Sequence, residues 1–490
     1  MLHLTTALDP HAPEPLYQQL YSSIAREITS GALPAGSRMP GRRSLAEALG
    51  VSVNTVDGAY QMLAAEGYLA SRPRSGFYVQ VYPAPPAPVR TGQGPAPKLP
   101  PLPGDAPPVR YDLSTGGVDT GLFPFRTWGR LQRELLASSE GLLERGDPRG
   151  EEELRAALAD YLAEYRGVRC APEQIVVGAG IEYLLSLLAP LLPGPTAVEN
   201  PGYPRARQVL ENSGQLCRFL PVDDGGLSVS ALAVSDAAVC YVTPSHQFPT
   251  GVTMPAPRRA ELLSWAGRRP GRRYIIEDDY DSEFRFDTRP LPSLQGMAGA
   301  DGPVIYLSTV ARSLAPGIRI AYMVLPEHLL PAWKARYSLY SGTVGRFEQQ
   351  TLALFIREGY FARHLARSRM AYKARRTALA AALGDAFGQE AELTGLHTGL
   401  HLLLHLKGAV PHDTVLAAEA RAAGIRLAAL SSYYLAGRDG CPGGTLVLGY
   451  GALPDDACAP LASALAAALK KACNDASDPS SQWQWPSAES

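Results

Sequence analysis

The residues of this sequence that could do chemistry lie in an acidic turn and around one arginine. Asp278 follows the apolar segment 274–276, so its carboxylate is expected at the carboxyl end of a buried strand. A carboxylate there can pair with the protonated nitrogen of a pyridine ring and keep that ring electron-poor. The alternative is an acidic turn that merely ends a strand. Together with the surroundings of Arg312, this turn indicates a pyridoxal phosphate pocket.

Arg312 stands where this chemistry requires a lysine, because pyridoxal phosphate is usually held by a primary amine as a Schiff base. A guanidinium stays protonated at physiological pH and only donates hydrogen bonds, so it is a very poor amine nucleophile. The chain has six lysines, at positions 98, 334, 373, 407, 470 and 471. None of them is a neighbour of the motif. We therefore predict a binding site that has no catalytic residue and forms no Schiff base.

Four residues are predicted to hold a phosphate group near this site. Gly180 and Ile181 follow the apolar segment 175–177 and open a helix, whose backbone N–H groups suit a phosphate. Thr309 and Arg319 come from the segment that contains the arginine described above, and both side chains can donate to phosphate oxygens. The glycine pair taken alone is a weak signal, and it gains weight only from the other residues.

The elements that position these residues follow from hydrophobic patterning. From residue 111 onward, apolar segments of strand length alternate with amphipathic helical patterns. The predicted strands cover residues 174–177, 197–199, 238–242, 274–276 and 304–307. This alternation predicts an α/β fold with a mainly parallel sheet covered on both faces. The segment 343–469 predicts long helices and a smaller C-terminal α/β subdomain.

The N-terminal region has the pattern of a winged helix-turn-helix. Apolar residues at every fourth position from 16 to 28 predict an amphipathic helix. Two short helices follow, joined by a glycine-containing turn, and Ser52 is the predicted N-cap of the second, which would enter the major groove. Two short β segments then surround a tip with Arg72 and Arg74, a plausible wing for the phosphate backbone or the minor groove.

A three-helix adaptor is the alternative for this region, since helix-turn-helix spacing alone is not specific. The net charge of the whole chain is -1, which gives no global attraction to nucleic acid. Binding to DNA must therefore come from a local patch. Five of the six arginines in residues 1–80 cluster around the start of the first short helix (38, 42 and 43) or at the wing (72 and 74), which favours such a patch.

Three N-terminal segments decide between these alternatives by resemblance. They are 39–46 (MPGRRSLA), 51–56 (VSVNTV) and 66–69 (EGYL), and they resemble the GntR-type winged helix along nearly its whole length. The resemblance implies DNA contacts from Arg43, Asn54, Thr55, Arg72 and Ser75, and the predicted DNA-binding surface also includes Arg42, Ser52 and Arg74. Many relatives place an arginine directly after the serine, where this chain has Val53, so an altered operator is implied.

Four segments of the large region carry a second resemblance. They are 200–204 (NPGYP), 243–251 (TPSHQFPTG), 277–284 (EDDYDSEF) and 314–319 (LAPGIR), and they resemble the MocR family of bacterial regulators. In that family a GntR-type reader is fused to a fold-type I aminotransferase-like domain, and the resemblance extends from about residue 13 to 470. It implies a head-to-tail homodimer in which the large domain senses pyridoxal phosphate, sometimes with an amino acid, and repositions two DNA-binding heads.

The same resemblance implies a role for each residue of the pocket. Asp278 would face the pyridine nitrogen, Tyr280 the ring hydroxyl, and Tyr203 would stack on the ring, although a core tyrosine is equally ordinary. The phosphate would be held by Gly180, Ile181, Thr309 and Arg319, and the lysine position falls on Arg312. Some relatives bind a substrate carboxylate through an arginine near the late strand, but residues 445–450 of this chain supply none.

The predicted organisation has four parts: a winged helix at 13–80, a proline-rich linker at 81–110, the effector domain at 111–473 and a polar tail at 474–490. Six cysteines without C-x-x-C spacing predict reduced thiols and no metal site. No segment approaches the apolar length of a membrane span, and the N-terminus lacks the pattern of a signal peptide. We therefore expect a cytoplasmic protein whose partners are double-stranded operator DNA and a small-molecule effector.

Three functions stay open at this point. The first is a transcriptional regulator whose aminotransferase-like domain binds pyridoxal phosphate or a related ligand without a covalent bond. The second is a pyridoxal phosphate-dependent aminotransferase with an accessory DNA-binding domain. Arg312 argues against it, because transamination needs a lysine both to bind the aldehyde and to move the α-proton. The third is a regulator whose pocket is purely structural. We favour the first, then the third.

Overall fold

The computed structural model describes residues 8–81, 108–269, 273–287, 291–437 and 440–476. The chain divides into two compact units, residues 1–104 and 105–490, and each is described by itself. Most of the predicted linker, from residue 82 to 107, lies outside the described residues, as do residues 477–490 of the predicted tail.

The N-terminal unit is a winged helix. Its elements are α1 (Leu16–Thr29), α2 (Arg42–Leu49), α3 (Val53–Ala65), β1 (Leu69–Arg72) and β2 (Gly76–Val79). The two strands pair antiparallel and form the wing. Leu20, Ile24 and Ile28 are all buried, as the spacing of four predicted, and they pack against apolar residues of α3.

The large unit contains the remaining helices and strands. Its strands are β3 (Tyr111–Asp112), β4 (Ile175–Gly178), β5 (Thr196–Asn200), β6 (Cys217–Asp223), β7 (Gly226–Leu227), β8 (Val239–Val242), β9 (Tyr274–Asp278), β10 (Val304–Thr309), β11 (Ala321–Val324), β12 (Ala391–Thr394), β13 (His401–Leu406), β14 (Ile425–Arg426), β15 (Ala428–Ala429) and β16 (Thr445–Gly449). Its helices are α4 (Phe125–Ser138), α5 (Glu152–Arg166), α6 (Ile181–Leu188), α7 (Pro204–Asn212), α8 (Val229–Val234), α9 (Ala256–Gly267), α10 (Leu294–Ala298), α11 (Leu330–Tyr337), α12 (Arg346–Arg357), α13 (Tyr360–Phe387), α14 (Asp413–Ala422) and α15 (Cys458–Ala476).

The main sheet has eight strands in the order β4-β11-β10-β9-β8-β5-β6-β7. Strands β10, β9, β8, β5 and β6 run parallel to their neighbours in that series, whereas β11 and β7 are antiparallel. The prediction of a mainly parallel sheet is thereby confirmed. Since β11 runs antiparallel to both β4 and β10, those two point the same way. The carboxyl ends of β4, β5, β8, β9 and β10 therefore meet at one edge of the sheet.

Helices cover both faces of this sheet, as alternating side chains along the strands show. Val176 of β4 and Ile305 of β10 belong to a cluster with buried residues of α6, α7 and α11. Their neighbours Ile175 and Tyr306 belong to a different cluster, built with α4, α5 and α12. Because successive strand residues point to opposite faces, the two clusters lie on opposite sides of the sheet. This burial on both faces explains the nearly continuous apolar strands.

A smaller subdomain is built on the four-stranded antiparallel sheet β12-β13-β16-β15, with α13, α14 and α15 packed against it. The first strand of the large unit, β3, pairs in parallel with β14 through Tyr111 and Ile425. The first residues of this unit therefore pack with its C-terminal part. Helix α15 continues to Ala476. The last turn of this helix contains Asn474, the first residue of the predicted polar tail, and the boundary at 473 stays a prediction.

No helix within the described ranges is long and apolar enough to cross a membrane.

Candidate functional site

Three consecutive carboxylates, Glu277, Asp278 and Asp279, lie at the carboxyl end of β9. Glu277 and Asp279 are engaged by two helices of the large unit. The carboxylate of Glu277 accepts hydrogen bonds from the backbone N–H groups of Leu294 and Gln295, at 2.9 and 3.0 Å, and so caps α10. Asp279 pairs with Arg166 of α5, with 2.7 Å between Oδ2 and Nε, and both groups are buried. Burial raises the pKa of Glu277 to about 7, whereas the charge of Arg166 and its hydrogen bonds hold the pKa of Asp279 below its usual value. These contacts leave Asp278 as the carboxylate available for another role.

Asp278 is buried, with 3% of its surface exposed, and one of its oxygens lacks a partner. Oδ2 accepts a hydrogen bond from the hydroxyl of Tyr241 on β8, while Oδ1 has no hydrogen-bond partner among the described residues. Burial raises the pKa of Asp278 to about 7, and the hydrogen bond from Tyr241 opposes that rise. A buried unpaired acceptor is costly. A protonated ring nitrogen would therefore fit this oxygen.

A second group of residues meets at the start of α6. Gly180 has a φ of +105° and precedes the helix, and a Cβ at this position would collide with the guanidinium of Arg319. Arg319, itself at φ 56°, donates from Nη2 to the carbonyl of Ala179 at 3.0 Å. The same nitrogen is 3.6 Å from Oε2 of Glu182. A helix N-terminus that begins at Ile181 and an exposed guanidinium thus face the same space, as a phosphate site requires.

Thr309, the last residue of β10, is buried and its hydroxyl is engaged within the chain. Oγ1 donates to the carbonyl of Ile320 at 3.1 Å and accepts from the backbone N–H of Ala311 at 3.1 Å. These bonds hold the connection between β10 and β11. A phosphate contact from Thr309 stays a prediction.

Aromatic rings line the pocket around Phe248, a residue that the sequence reasoning did not single out. The Tyr203 ring meets Phe248 edge to face at a centroid distance of 5.5 Å. Tyr433 and Tyr280 contact the same phenylalanine at 5.0 and 6.2 Å, also edge to face. Phe248 lies in the segment 243–251, whose motif could have indicated it. These edge-to-face contacts bring Tyr203 and Tyr280, two of the predicted pocket residues, into one aromatic cluster.

A buried cluster of two histidines and an aspartate holds Tyr280. The hydroxyl of Tyr280 lies 3.0 Å from Nδ1 of His246, which is also 2.8 Å from Oδ2 of Asp281. The ring of His401 is 4.5 Å from that of His246, and one ligand atom from each of His246, Asp281 and His401 lies within 4.8 Å of the others. Burial lowers the pKa of His401 well below its ordinary value. Sequence reasoning missed this cluster, because its members are far apart along the chain.

Arg312 lies in the connection between β10 and β11, just past the carboxyl end of β10. It is half-buried and donates from Nη1 to the carbonyl of Gly117 at 3.3 Å. Among the described residues it forms no ion pair. Burial raises the pKa of Tyr203 to about 12 and that of Tyr280 well above its ordinary value. The charge of Asp278 adds to both rises and that of Arg312 opposes them. Both charged groups thus act on the same two phenols.

The predicted DNA-binding residues of α2 and α3 lie on the surface of the N-terminal unit. Ser52 is the N-cap of α3, as predicted, and its Oγ accepts from the backbone N–H of Thr55 at 3.1 Å. Asn54 and Arg43 are exposed, whereas Arg42 forms an ion pair with an aspartate of α3. Val53, where many relatives have arginine, is 43% exposed.

The wing carries the remaining predicted DNA contacts. The guanidinium of Arg72 lies 4.4 Å from the centroid of the Tyr78 ring, and Oγ of Ser75 lies 2.7 Å from the Tyr78 hydroxyl. Arg74 occupies the tip with a φ of 63°, and it is exposed. Tyr78 therefore orients two of the three predicted wing contacts, a role that sequence reasoning missed.

Comparison with known proteins agrees with this architecture. Residues 16–79 match the family described as bacterial regulatory proteins, gntR family, and residues 111–439 match aminotransferase class I and II. The probable rhizopine catabolism regulatory protein MocR of Rhizobium meliloti is 39% identical over 75% of this chain and 77% of its own. The HTH-type pyridoxine biosynthesis transcriptional regulator PdxR of Corynebacterium glutamicum is 33% identical over 92% of this chain and 96% of its own.

The large unit also resembles solved enzyme structures. The multiple substrate aminotransferase of Thermococcus profundus matches with a TM-score of 0.66 and 26% identity, covering 76% of this chain and 93% of that one. The predicted winged helix and the predicted fold-type I aminotransferase-like domain are both confirmed. The chain therefore belongs to the MocR-type family of transcriptional regulators, in which a gntR-family DNA-binding domain is joined to an aminotransferase-like domain.

Proposed function

We propose that this regulator binds pyridoxal phosphate or a closely related vitamer in its large domain, without a covalent bond. The observation that carries the proposal is Oδ1 of Asp278, which is buried at the carboxyl edge of the sheet and has no hydrogen-bond partner in the part of the chain that the structure describes. A protonated pyridine nitrogen supplies the donor that this oxygen lacks, and the opposite charges offset the cost of burial. The name of the relative PdxR connects it to pyridoxine biosynthesis, which supports the same class of ligand.

Other residues around the same sheet edge would hold the phosphate, the ring and the ring hydroxyl of the vitamer. The backbone at Gly180 and Ile181 and the guanidinium of Arg319 would hold the phosphate, since they face one space. Tyr203 would contact the ring, and Tyr280, held by His246, would face the ring hydroxyl. A bound vitamer would supply an electron-poor ring, and these residues would bind and orient it.

We further propose that the large domain does not catalyse transamination. The reaction needs an amine that can bind the aldehyde reversibly and then move a proton. At the position implied for that amine the chain has Arg312, whose guanidinium stays protonated. No lysine lies between residues 98 and 334. The pocket would therefore sense its ligand and leave it chemically unchanged.

The output of this sensor would be DNA binding in the cytoplasm. Regulators with a gntR-family domain bind operator DNA, and this chain presents Arg43, Asn54 and the wing arginines on one exposed unit. We propose a head-to-tail homodimer in which the ligand changes the arrangement of two DNA-binding heads. Sedimentation analysis should give twice the chain mass of 52.4 kDa. A single-chain mass at the concentration that shifts operator DNA would contradict this assembly.

A purely structural pocket is the second candidate, and one observation favours it. Arg319 is already engaged by the carbonyl of Ala179 and lies near Glu182, whose Oε1 also pairs with Arg205 at 3.3 Å. An acid beside a phosphate site weakens its attraction for an anion. If these contacts persist, a phosphate would bind weakly and the pocket would serve only the fold.

Spectroscopy and calorimetry on the purified full-length protein separate these candidates. We expect no visible absorbance band of a Schiff base and no vitamer fixed to the chain by borohydride, but measurable heat on titration with pyridoxal phosphate. Arg319→Ala should weaken that binding about tenfold, because one charge-assisted hydrogen bond is lost. The exposed Arg133 of α4 offers a matched control, Arg133→Ala, which should bind like the parent.

Each candidate has its own contradicting result. A vitamer fixed by borohydride would refute non-covalent binding and favour the enzyme. An absence of heat with both pyridoxal phosphate and pyridoxamine phosphate would favour the structural pocket.

A further inference from the structure

We infer that this pocket discriminates among pyridoxal-type vitamers by the group at their 4′ position. It accepts a hydrogen-bond acceptor there, such as an aldehyde or a hydroxyl, and rejects the ammonium group of pyridoxamine phosphate. The inference rests on the proposed function, because it requires a vitamer in the pocket, and it adds which members of that class can bind.

The chemistry of the ring fixes where the 4′ group must lie. In these vitamers the 4′ group is para to the ring nitrogen, and it is flanked by the ring hydroxyl on one side and the phosphate arm on the other. With the nitrogen at Asp278, the hydroxyl at Tyr280 and the phosphate at the start of α6 beside Arg319, the 4′ group points away from Asp278. It therefore lies between the phosphate and hydroxyl subsites, where relatives are implied to carry their amine and this chain has Arg312.

Arg312 lies in the connection between β10 and β11, just past the sheet edge at which Asp278 ends β9. Its guanidinium donates to the carbonyl of Gly117 at 3.3 Å, a long bond that leaves most of its five N–H groups for other acceptors. Tyr203 and Tyr280 come from different segments of the chain, and both respond to the positive charge of Arg312 as well as to the negative charge of Asp278. Its position after β10 and its spare N–H groups make this guanidinium available to a group bound at the same sheet edge.

Among the described residues no carboxylate forms an ion pair with this guanidinium. In the acidic segment 277–281 three of the four carboxylates have other partners, and the fourth, Asp278, is the proposed partner of the ring nitrogen. Asp279 holds Arg166, Asp281 holds His246, and Glu277 caps a helix. A half-buried cation without a counter-charge attracts an acceptor or an anion and repels a second cation.

Arg312 therefore replaces a reactive amine with a fixed donor. A lysine amine can lose its proton and bind the aldehyde, whereas a guanidinium can only donate to the aldehyde oxygen. The ammonium of pyridoxamine phosphate offers no acceptor to this donor and brings a like charge close to it. The substitution that removes the Schiff base thus also sets which vitamer the pocket prefers.

Calorimetric titration of the full-length protein tests this preference with three ligands that share the ring and the phosphate and differ only in the 4′ group. We expect pyridoxal phosphate and pyridoxine phosphate to bind, and pyridoxamine phosphate to bind about tenfold or more weakly. Arg312→Gln should remove most of this difference, because glutamine keeps a donor and loses the charge. Arg133→Gln, on the exposed face of α4, is the matched control and should keep the parent's preference.

Arg312→Lys gives an independent readout that does not depend on affinity. It restores a primary amine at this position, so pyridoxal phosphate should produce a new visible absorbance band and become fixed to the chain by borohydride. The parent should show neither change, and pyridoxamine phosphate should give neither with the variant. Circular dichroism of both Arg312 variants checks that they fold.

The outcomes separate the inference from the proposed function. Equal binding of pyridoxal and pyridoxamine phosphates to the parent would overturn the inference while leaving the proposed ligand class intact. An unchanged preference in a folded Arg312→Gln variant would also overturn it, as would a folded Arg312→Lys variant that forms no adduct. If none of the three ligands binds the parent, the ligand part of the proposed function fails, and the inference fails with it.

Discussion

The two functional regions of this protein use charge in opposite ways. The winged helix presents exposed cations, such as Arg43 and Arg74, on elements formed by neighbouring residues of the chain. The pocket of the large domain instead buries an incompletely paired anion, Asp278, and brings it near a cation from another strand end. Exposed charges are screened by salt, whereas buried ones are screened much less. DNA binding should therefore weaken as ionic strength rises, whereas ligand binding should depend on single buried atoms.

The largest expected effect concerns the buried anion. Asp278→Asn keeps the shape of the side chain but removes the charge that would pair with a pyridinium. We expect pyridoxal phosphate to bind about a hundredfold more weakly, because a buried charge partner is lost. Titration calorimetry at low and high salt measures this, and the loss should be similar at both.

Asp160 of α5 is exposed and supplies the control Asp160→Asn, which should bind like the parent. A loss of affinity after Asp278→Asn that disappears at high salt would contradict the burial of this charge, because it would show that salt screens the charge.

The next effect concerns the exposed cations of the winged helix. Arg43→Ala should weaken operator binding about tenfold or more, and the parent's affinity should fall steeply as salt rises. Arg26→Ala, at an exposed position of α1 away from the predicted surface, is the matched control. Mobility shifts over a salt series measure both the affinity and its slope. An unchanged shift after Arg43→Ala would contradict the assignment of this surface.

The smallest effect concerns the stability of the ligand-free protein. Burial raises the pKa of Asp278 from its ordinary value of 3.8 to about 7, so between these values the folded state binds more protons than the unfolded state. The contribution of this group to stability therefore falls as pH rises from about 4 to 7, and it stays low above that range.

Asp278→Asn removes this dependence. The variant should be more stable than the parent at pH 8, by on the order of 1–3 kcal/mol, and the difference should shrink toward pH 4. Denaturant unfolding at the two pH values measures it. An equal difference in unfolding free energy at pH 8 and pH 4 would mean that ionisation of the buried carboxylate does not destabilise the fold. The same substitution would then weaken ligand binding and stabilise the fold, a trade-off that is common at binding sites.

Much of the fold was predictable because its signals are local. The N-cap Ser52, the apolar spacing of α1 and the strand-length segments around β9 and β10 all depend on near neighbours in sequence. Strand β11 was not predicted. Its four residues follow β10 closely, and only its place between β4 and β10 shows that it runs antiparallel. The small subdomain was expected at the end of the chain, but its pairing with β3 joins residues more than 300 positions apart.

The sequence by itself determined which residue types are present: an arginine at the position where the resemblance implies an amine, no lysine between residues 98 and 334, and the motifs of a gntR-type DNA-binding domain. Those facts depend only on residue identity and local order. The tertiary structure decided which of three adjacent carboxylates keeps an oxygen without a partner among the described residues, because Arg166 pairs with Asp279 and the first turn of α10 donates to Glu277. It also decided that Tyr280 is held by His246, since burial and long-range contacts form only when the chain folds.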